Sequence, residues 1–501
     1  MPLTARAAVV ITAVVLLTAG SAAGWAPDGS GGAGPAASAA QDERPCRTDL
    51  PKLRYVVLFA DGTGEGDAQA QITAACGATL VYYQQIAVGV ASTTDSSFAD
   101  RMGRDRAYSA QAEALTDADR VVPPPAAGTP RKGRALVTAT APRPEAGGGE
   151  GEQWNMALIG AAQAHEVTSG SRNVLVGVMD SGIDPSHPEL TQALDRSASV
   201  GCTTGRPDPR PASWLPSGPH GTHVAGLIAA AADGAGITGV APGVRIASVK
   251  VVDAAGFIYP EYAVCGFVWA ATHGMRIANH SYFVDPWLFT CAGVAGQAVA
   301  HEAVRRAAAY ATAGGVLSVA AVGNESADLA DPGVDTHSPN NTGQPVRRPV
   351  GEGCDVLPAE LPGVLAVSAV GAQGVKSSYS SYGVDVVDIT APGGDLRQRA
   401  AGEASGCVLS TVPGGGYARM CGTSMAAPHV AGVAALVASR HPEAGPAELA
   451  DIVTGSARPV ACEGRYDPNS DGRADASCGA AEQGNGFYGR GLLDAMGAVA
   501  G

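Results

Sequence analysis

Three segments of this chain carry the side chains that acyl-transfer chemistry requires. Asp180 ends an apolar run in the string VMDSGID, His220 begins the string HGTHVAG, and Ser424 lies in the string GTSMAAPH. In such a set the serine hydroxyl attacks a carbonyl carbon, the histidine accepts the serine's proton and passes it to the leaving group, and the aspartate orients the histidine. We therefore predict that Asp180, His220 and Ser424 form a serine-hydrolase triad.

Each of the three residues also has an ordinary structural interpretation. Asp180 before Ser-Gly is typical of a turn, His220 of a helix start, and Ser424 of a helix N-cap. The chain order Asp, His, Ser is nevertheless one of the orders in which this triad is known. An α/β-hydrolase esterase is excluded, because it would have Gly-x-Ser-x-Gly with the serine first, whereas Ser424 comes last.

Together the triad strings resemble those of the subtilases, the subtilisin-like serine proteases. The resemblance covers most of residues 170–500 and is sharpest at His220–Pro242 and Cys421–Gly432. It implies that Asn324, in the string VAAVGNE, donates its side-chain amide to the developing oxyanion together with the backbone N–H of Ser424. The family also implies serine endopeptidase activity through an acyl-enzyme, with peptides or proteins as substrates and no cofactor for the chemistry.

The resemblance further implies where the substrate backbone binds. Gly323 and the segment Ser281-Tyr282-Phe283 correspond to family positions along which an extended peptide adds as a strand. Where the family usually has Ser-Leu-Gly, this chain has the bulky Tyr282 and Phe283. This departure predicts a narrowed specificity. It also leaves two alternatives open: a maturation protease with one native substrate, and a binding protein that keeps the triad without a usable cleft.

The elements that position these residues are indicated by apolar runs with little alternation, which are typical of parallel strands buried on both faces. Helical stretches such as Gly296–Ala311 lie between the runs, so we predict a doubly wound, mostly parallel α/β domain over residues 153–501. Ser424 should begin a helix, with Pro428 tolerated in its first turn because the N–H groups there have no helical acceptor. The predicted strands are Asn173–Met179, Arg245–Val252, Met275–Ala278, Val316–Val322 and Val364–Val370.

The N-terminal 50 residues divide by composition. Residues 1–23 are typical of a signal peptide, with Arg6 before an apolar run that is too short to span a bilayer. Residues 24–50 are rich in Gly, Ala, Ser and Pro and should form a flexible spacer. We therefore expect a secreted, extracellular protein.

A small domain and a linker are predicted to follow. Residues 51–122 alternate strands and helices in the order of a small α/β sandwich, which resembles the inhibitory pro-domain of many subtilases; an unrelated small domain is the alternative. Residues 123–152 should form an exposed linker that is cut during maturation, with Arg131–Arg134 (RKGR) as a candidate site. The chain would then be a self-processing pre-pro-enzyme that its own pro-domain inhibits. The elements predicted in the sandwich are strands Leu53–Ala60, Leu80–Tyr83 and Ile86–Ala91 and helices Asp67–Cys76 and Phe98–Met102.

Charge and cysteine content limit the partners and the compartment. The 501 residues carry a net charge of −14 without a basic stripe, which excludes nucleic acid as a partner. No later apolar run is long enough to span a membrane, so we expect a soluble protein. We also expect a monomer. Ten cysteines without a Cys-x-x-Cys pair fit an oxidising compartment. Two of them precede residue 150 and eight follow it, so we predict pairing within each part, with Cys462–Cys478 as a local bridge.

Two places are candidates for structural calcium. The loop Asp467–Asp475 places Asp467, Asn469, Asp471 and Asp475 at positions 1, 3, 5 and 9 of an EF-hand-type pattern, although Cys478 replaces the final glutamate. A polar surface loop between two cysteines explains the same residues equally well. The second place follows from the family resemblance, which implies Glu189 and Asp233 as ligands.

Overall fold

The structure is a computed structural model that describes residues 45–116, 136–138, 153–342, 344–400, 405–462, 464–468 and 471–501. Residues Cys46–Gly501 form one compact unit. The predicted signal peptide and most of the predicted linker lie outside the described residues, so both remain predictions.

The small N-terminal domain is an antiparallel sheet with the strand order β2-β3-β1-β4. Helices α1 and α2 cover one face, where Ile72 and Phe98 pack against Val57. The strands and helices expected between residues 53 and 102 are therefore present. Its elements are β1 (Leu53–Leu58), α1 (Glu65–Ala74), β2 (Ala78–Tyr83), a 3₁₀ turn (Gln84–Ile86), β3 (Val88–Thr93), α2 (Phe98–Met102), β4 (Ala107–Tyr108) and α3 (Ala110–Thr116).

Residues 46–50 belong to this small domain, although the composition predicted a flexible spacer as far as residue 50. A disulfide joins Cys46 to Cys76, and the backbone N–H of Leu50 donates to the carbonyl of Thr94 at 3.0 Å. A covalent link and sheet-like hydrogen bonding fix a segment whatever its intrinsic flexibility.

The large domain contains a sheet of seven strands in the order β16-β15-β11-β9-β6-β8-β7, all paired in parallel. The helices of this domain are α4 (Trp154–Leu158), α5 (Ala161–Val167), α6 (Pro211–Trp214), α7 (His220–Ala229), α8 (Pro260–Thr272), α9 (Gln297–Ala313), α10 (Thr423–Arg440), α11 (Pro446–Gly455) and α12 (Ala495–Ala500). The strands outside the small domain are β5 (Leu136–Thr138), β6 (Leu175–Asp180), β7 (Val200–Gly201), β8 (Arg245–Lys250), β9 (Ile277–His280), β10 (Thr290–Cys291), β11 (Leu317–Ala321), β12 (Val334–Asp335), β13 (Arg348–Pro349), β14 (Cys354–Asp355), β15 (Val364–Val370), β16 (Ile389–Pro392), β17 (Val408–Val412), β18 (Gly416–Cys421), β19 (Ala480–Ala481) and β20 (Gly484–Asn485).

Both faces of the seven-stranded sheet are buried, which explains why its strands are apolar throughout. In β6, Val176 and Val178 share a core with α7 and α10. The alternate residues Leu175 and Met179 share a second core with α8, α9 and the face of the small domain's sheet that is opposite α1 and α2. The predicted doubly wound α/β fold is confirmed, with each predicted strand present within a few residues of its expected bounds.

All ten cysteines are paired as the division at residue 150 predicted. Cys46–Cys76 lies in the small domain, and Cys462–Cys478 is the predicted local bridge. Among the described residues, no helix is long and apolar enough to cross a membrane. The other three bridges are Cys202–Cys265, Cys291–Cys354 and Cys407–Cys421.

Candidate active site

Asp180 and His220 form the first half of the site. Asp180 is the last residue of β6 and His220 the first of α7, and His220 Nδ1 lies 2.8 and 2.9 Å from the two carboxylate oxygens of Asp180. The close approach of the start of α7 to the Asp180 segment depends on Gly221, because a Cβ there would lie 2.4 Å from the carbonyl oxygen of Gly182 and 3.1 Å from Asp180 Oδ1. Asp180 is 2% exposed, so its carboxylate holds the imidazole in a fixed orientation with little competition from water.

Ser424 lies at the start of α10 and is held against the end of β9. Its hydroxyl donates to the carbonyl of Ser281 at 3.1 Å, and the hydroxyl of Ser281 donates back to the carbonyl of Ser424 at 2.8 Å. Asn279 Nδ2 donates to the Ser281 hydroxyl at 2.9 Å and fixes its direction. Within the described residues the Ser424 hydroxyl is therefore paired with Ser281, just after β9, and not with His220, so a hydrogen bond to His220 would require rotation about the Ser424 Cα–Cβ bond.

Pro428 explains the role of Ser281. The sequence placed this proline in the first turn of the helix, but it is the sixth residue of α10 and lies in the second turn. Lacking an N–H, Pro428 cannot donate to the carbonyl of Ser424 four residues earlier, as a regular helix would require. The Ser281 hydroxyl supplies that hydrogen bond, which ties the nucleophile's backbone to the sheet.

Asn324 lies beside Ser424 with its amide orientation fixed. Its Oδ1 accepts hydrogen bonds from the backbone N–H of Thr423 at 2.8 Å and from the Thr423 hydroxyl at 3.0 Å. Because a backbone N–H is always a donor, the atom facing it must be the amide oxygen, and Nδ2 is on the opposite side. This arrangement supplies the type of donor that an oxyanion hole requires.

The residues around Asn324 complete this part of the site. Gly323 has a φ of 103°, in the region that favours glycine. The backbone N–H of Asn324 donates to Glu325 Oε2 at 2.7 Å. Burial raises the pKa of Glu325 to about 7, although that hydrogen bond opposes the rise. Glu325 therefore titrates near neutral pH beside the site.

Tyr282 and Phe283 pack partly against the core beneath the sheet end that carries Ser281. The Tyr282 hydroxyl lies 2.9 Å from His280 Nδ1, and both Tyr282 and Phe283 are partly buried against the core formed with α8 and α9. Burial lowers the pKa of His280 to about 3, so its ring is a neutral partner for the phenol. The bulk of these side chains, which motivated the binding-protein alternative, is thus largely absorbed by the core.

The hairpin of β17 and β18 contacts α7, the helix that begins with His220, and this contact was not predicted from the sequence. His223 is buried in α7, with Nε2 at 3.2 Å from the carbonyl of Val408 and 3.0 Å from that of Ala418. Burial lowers the pKa of His223 to about 3, so it is a neutral structural histidine. The only signal in the sequence was a second histidine in the HGTH string, which does not specify a partner.

Among the described residues, those predicted to bind calcium do not form a cluster of three or more ligand atoms. Tyr417 donates to Glu189 Oε1, whereas Asp233 accepts a hydrogen bond from Ala235 N at 3.0 Å in its own exposed loop. Among the described residues, the one group of three potential ligand atoms includes the disulfide-bonded sulfurs of Cys46 and Cys76.

In the other predicted loop, the carboxylates of Asp467 and Asp471 accept hydrogen bonds from the loop's own backbone. Asp467 accepts from the backbone N–H groups of Asp471 and Gly472, at 3.2 and 2.9 Å, and Asp471 accepts from that of Arg473 at 2.8 Å. The backbone of Asp475 donates to the carbonyl of Tyr466 at 2.7 Å, and Asn469 lies outside the described residues. The described side chains do not by themselves fit calcium at either place, so calcium binding stays a prediction.

Comparisons with known proteins identify the family of this chain. A model of the subtilase family matches residues 171–486. Subtilisin from Bacillus pumilus is 32% identical over 304 residues, which cover 61% of this chain and 90% of that protein. Subtilisin NAT from Bacillus subtilis subsp. natto is also 32% identical over 304 residues, but these span only 65% of that protein, less than two thirds of its length.

A solved structure supports the fold independently of sequence. The epidermin leader peptide processing serine protease from Staphylococcus aureus superposes with a TM-score of 0.63 at 18% identity, covering 89% of this chain and 98% of that one. This likeness shows the architecture alone. The match of the family model to residues 171–486, more than half of the chain, establishes that the chain belongs to the subtilase family.

Proposed function

We propose that this protein is a serine endopeptidase that hydrolyses peptide bonds through an acyl-enzyme on Ser424. The observation that carries the proposal is the convergence of Asp180, His220, Asn324 and Ser424 at the carboxyl edge of one parallel sheet, where open α/β folds bind their ligands. His220 would take the Ser424 proton and return it to the leaving amine. Asn324 Nδ2 and the backbone N–H of Ser424 would bind the oxyanion. Calcium, if bound at Glu189 and Asp233, would act in stability and not in the chemistry.

Self-processing is supported by the strand β5 in the predicted linker. Leu136 pairs with Cys421 and Thr138 with Arg419 in an antiparallel register, so the N-terminal end of β5 lies at the end of β18 that leads into Ser424. An extended segment can bind by adding as a strand in this way, beside the residues that lead into Ser424. We therefore propose that the chain is cut N-terminal to Leu136, close to the RKGR string, during secretion as a pre-pro-enzyme.

The test is the intact mass of secreted wild type and Ser424→Ala expressed side by side, together with hydrolysis of a fluorogenic peptide library. We expect the wild type alone to lose the residues before Leu136 and to cleave peptides. If both proteins remain full length and neither cleaves peptides, the binding-protein alternative is favoured. If both are trimmed alike, another protease makes the cut. One strong cleavage motif, against many weak ones, would indicate a dedicated maturation protease.

Inhibition by the small domain is proposed from its contacts with α8 and α9. Arg54 Nε of β1 donates to Glu261 Oε1 at 3.2 Å, and Arg54 also donates to the hydroxyl of Tyr262. Glu261 is 3% exposed; burial raises its pKa, and the Arg54 guanidinium opposes this rise. Arg306 of α9 donates to the carbonyls of Phe59 and Ile86 at 3.0 and 3.3 Å. The interface therefore contains an ion pair between a buried carboxylate (Glu261 side chain 4% exposed) and a partly buried guanidinium (Arg54 side chain 22% exposed), and the pair exists only while the pro-domain is bound.

Replacement of Arg54 by alanine should weaken the inhibitor. Removing one partner of a buried, hydrogen-bonded charge pair costs about 2–5 kcal/mol, because the other charge stays buried and unpaired. We expect the inhibition constant of the N-terminal fragment, recovered after processing and added back to the enzyme, to rise by roughly 30-fold or more. Arg104→Ala is the matched control, since the Arg104 side chain is 77% exposed and pairs with Asp100 four residues earlier in the same domain. Equal inhibition by the two fragments would contradict this assignment of the interface.

A further inference from the structure

We propose that the β17–β18 hairpin, closed by the Cys407–Cys421 disulfide, positions His220 and Ser424 relative to each other. The hairpin contacts both elements that carry these residues, and the disulfide closes its open end at the point where the chain enters the nucleophile segment. This inference rests on the proposed serine-protease function. The cysteines would be positioning residues that touch neither substrate nor reacting atoms.

One arm of the hairpin leads directly to the nucleophile. Cys421 ends β18, and Gly422 then donates its N–H to the carbonyl of Gly393 at 3.0 Å. Thr423 donates to Asn324 Oδ1 through both its N–H and its hydroxyl. A displacement of Cys421 would therefore move the Ser424 hydroxyl and the proposed oxyanion amide together.

The other arm holds the helix that begins with His220. Ser410 Oγ donates to the carbonyl of His223 and Thr411 Oγ1 to that of Thr222, both at 2.7 Å. The His223 ring reaches back to the carbonyls of Val408 and Ala418, one on each strand. The first turn of α7, and with it His220, is thus hydrogen-bonded to the hairpin on both strands.

The disulfide is placed where the hairpin would otherwise open. Val408 pairs with Met420, so Cys407 and Cys421 are the next pair outward from the turn. They are 0% and 2% exposed and pack on Gly394, where an added Cβ would lie 3.0 Å from Cys421 Sγ. Strand ends held only by hydrogen bonds open locally at low free-energy cost, and a covalent link prevents this opening. The Ser424 hydroxyl is hydrogen-bonded to Ser281 and not to His220. The hairpin therefore links the segments that carry His220 and Ser424, although the two side chains do not contact each other through a hydrogen bond.

The chain offers a matched control for the disulfide. Cys407 and Cys421 are 14 residues apart and Cys462 and Cys478 are 16 apart, so removal of either bridge changes the loop entropy of the unfolded chain almost equally. The two variants are Cys407→Ala/Cys421→Ala and Cys462→Ala/Cys478→Ala. Both are compared with wild type at a temperature at which circular dichroism shows that all three are folded.

The expected result is a kcat lowered by about 10²-fold in the Cys407→Ala/Cys421→Ala variant with KM changed much less, because misplacement of reacting groups by about 1 Å has an effect of this size. The control variant should keep the wild-type kcat. Equal kcat losses in the two variants, or no loss in either, would overturn the inference. Should the first variant fail to fold, Ser410→Ala/Thr411→Val leaves all cysteines intact and removes the hydroxyl links to α7, and it should lower kcat in the same direction.

A second readout separates this inference from the proposed function. Hydrogen exchange of the peptides containing His220 and Gly422–Met425 should become faster in the hairpin variant and not in the control. This measurement does not need a functioning enzyme. An inactive wild type would therefore contradict the proposed function, whereas unchanged exchange at both peptides would contradict the positioning role of the hairpin.

Discussion

We expect peptide hydrolysis to be about 10⁶-fold slower than in wild type in each of three variants: Ser424→Ala, His220→Ala and the double variant. The double variant should be no slower than either single one. The magnitude is the one known for subtilisin. The nucleophile and its base act as a unit, so removing either one abolishes the same step. The structure provides the reason for a residual rate, because Asn324 and the Ser424 backbone N–H stay in place when the two side chains are removed.

These variants cannot be compared through self-processing, since we expect them to remain full length. A cleavage sequence for an unrelated protease, placed within residues 123–135, would release every variant from its pro-domain in the same way. Values of kcat from a common peptide then measure the chemistry alone. Additive losses in the double variant, roughly the product of the single ones, would show that Ser424 and His220 do not act in one step.

Asp180→Asn should lower kcat by about 10⁴-fold while leaving KM nearly unchanged, as known for the aspartate of a chymotrypsin-type triad. The Asp180 carboxylate accepts from His220 Nδ1 at 2.8 Å, which requires the proton on Nδ1 and leaves Nε2 free to act as the base. An asparagine amide at the same place can donate to Nδ1, which stabilises the opposite tautomer. The substitution is nearly isosteric, so the site's shape is retained and the loss reflects proton placement.

Asp184→Asn is the matched control for this prediction. Asp184 lies four residues further along the same segment and is also buried, but its carboxylate accepts from Ser186 and Gly414 and has no contact with His220. We expect a loss of stability without a comparable change in kcat. A similar kcat for Asp180→Asn and wild type would remove Asp180 from the mechanism and leave the family match without a functioning triad.

Much of this protein could be predicted from short stretches of sequence. The strand Val364–Val370 and the helix Phe98–Met102 were located to the residue, and the other predicted strands to within a few residues. These elements are encoded by patterns in neighbouring residues, so they could be inferred without the fold. Asp180, His220 and Ser424 were predicted as a triad in the same way, because each lies in a distinctive local string.

The tertiary structure decided how those residues are held. Ser281 and Ser424 exchange hydrogen bonds across 143 residues of sequence, and Thr423 orients Asn324 across 99. The sequence placed Pro428 in the first turn of α10, whereas it lies in the second. There it leaves the carbonyl of Ser424 without a helical donor, and the Ser281 hydroxyl that replaces this donor is brought close only by the packing of β9 beside α10. The sequence alone determined which elements form and which side chains are chemically able to react. Their mutual orientation depends on contacts between distant segments, which exist only once the sheet has assembled.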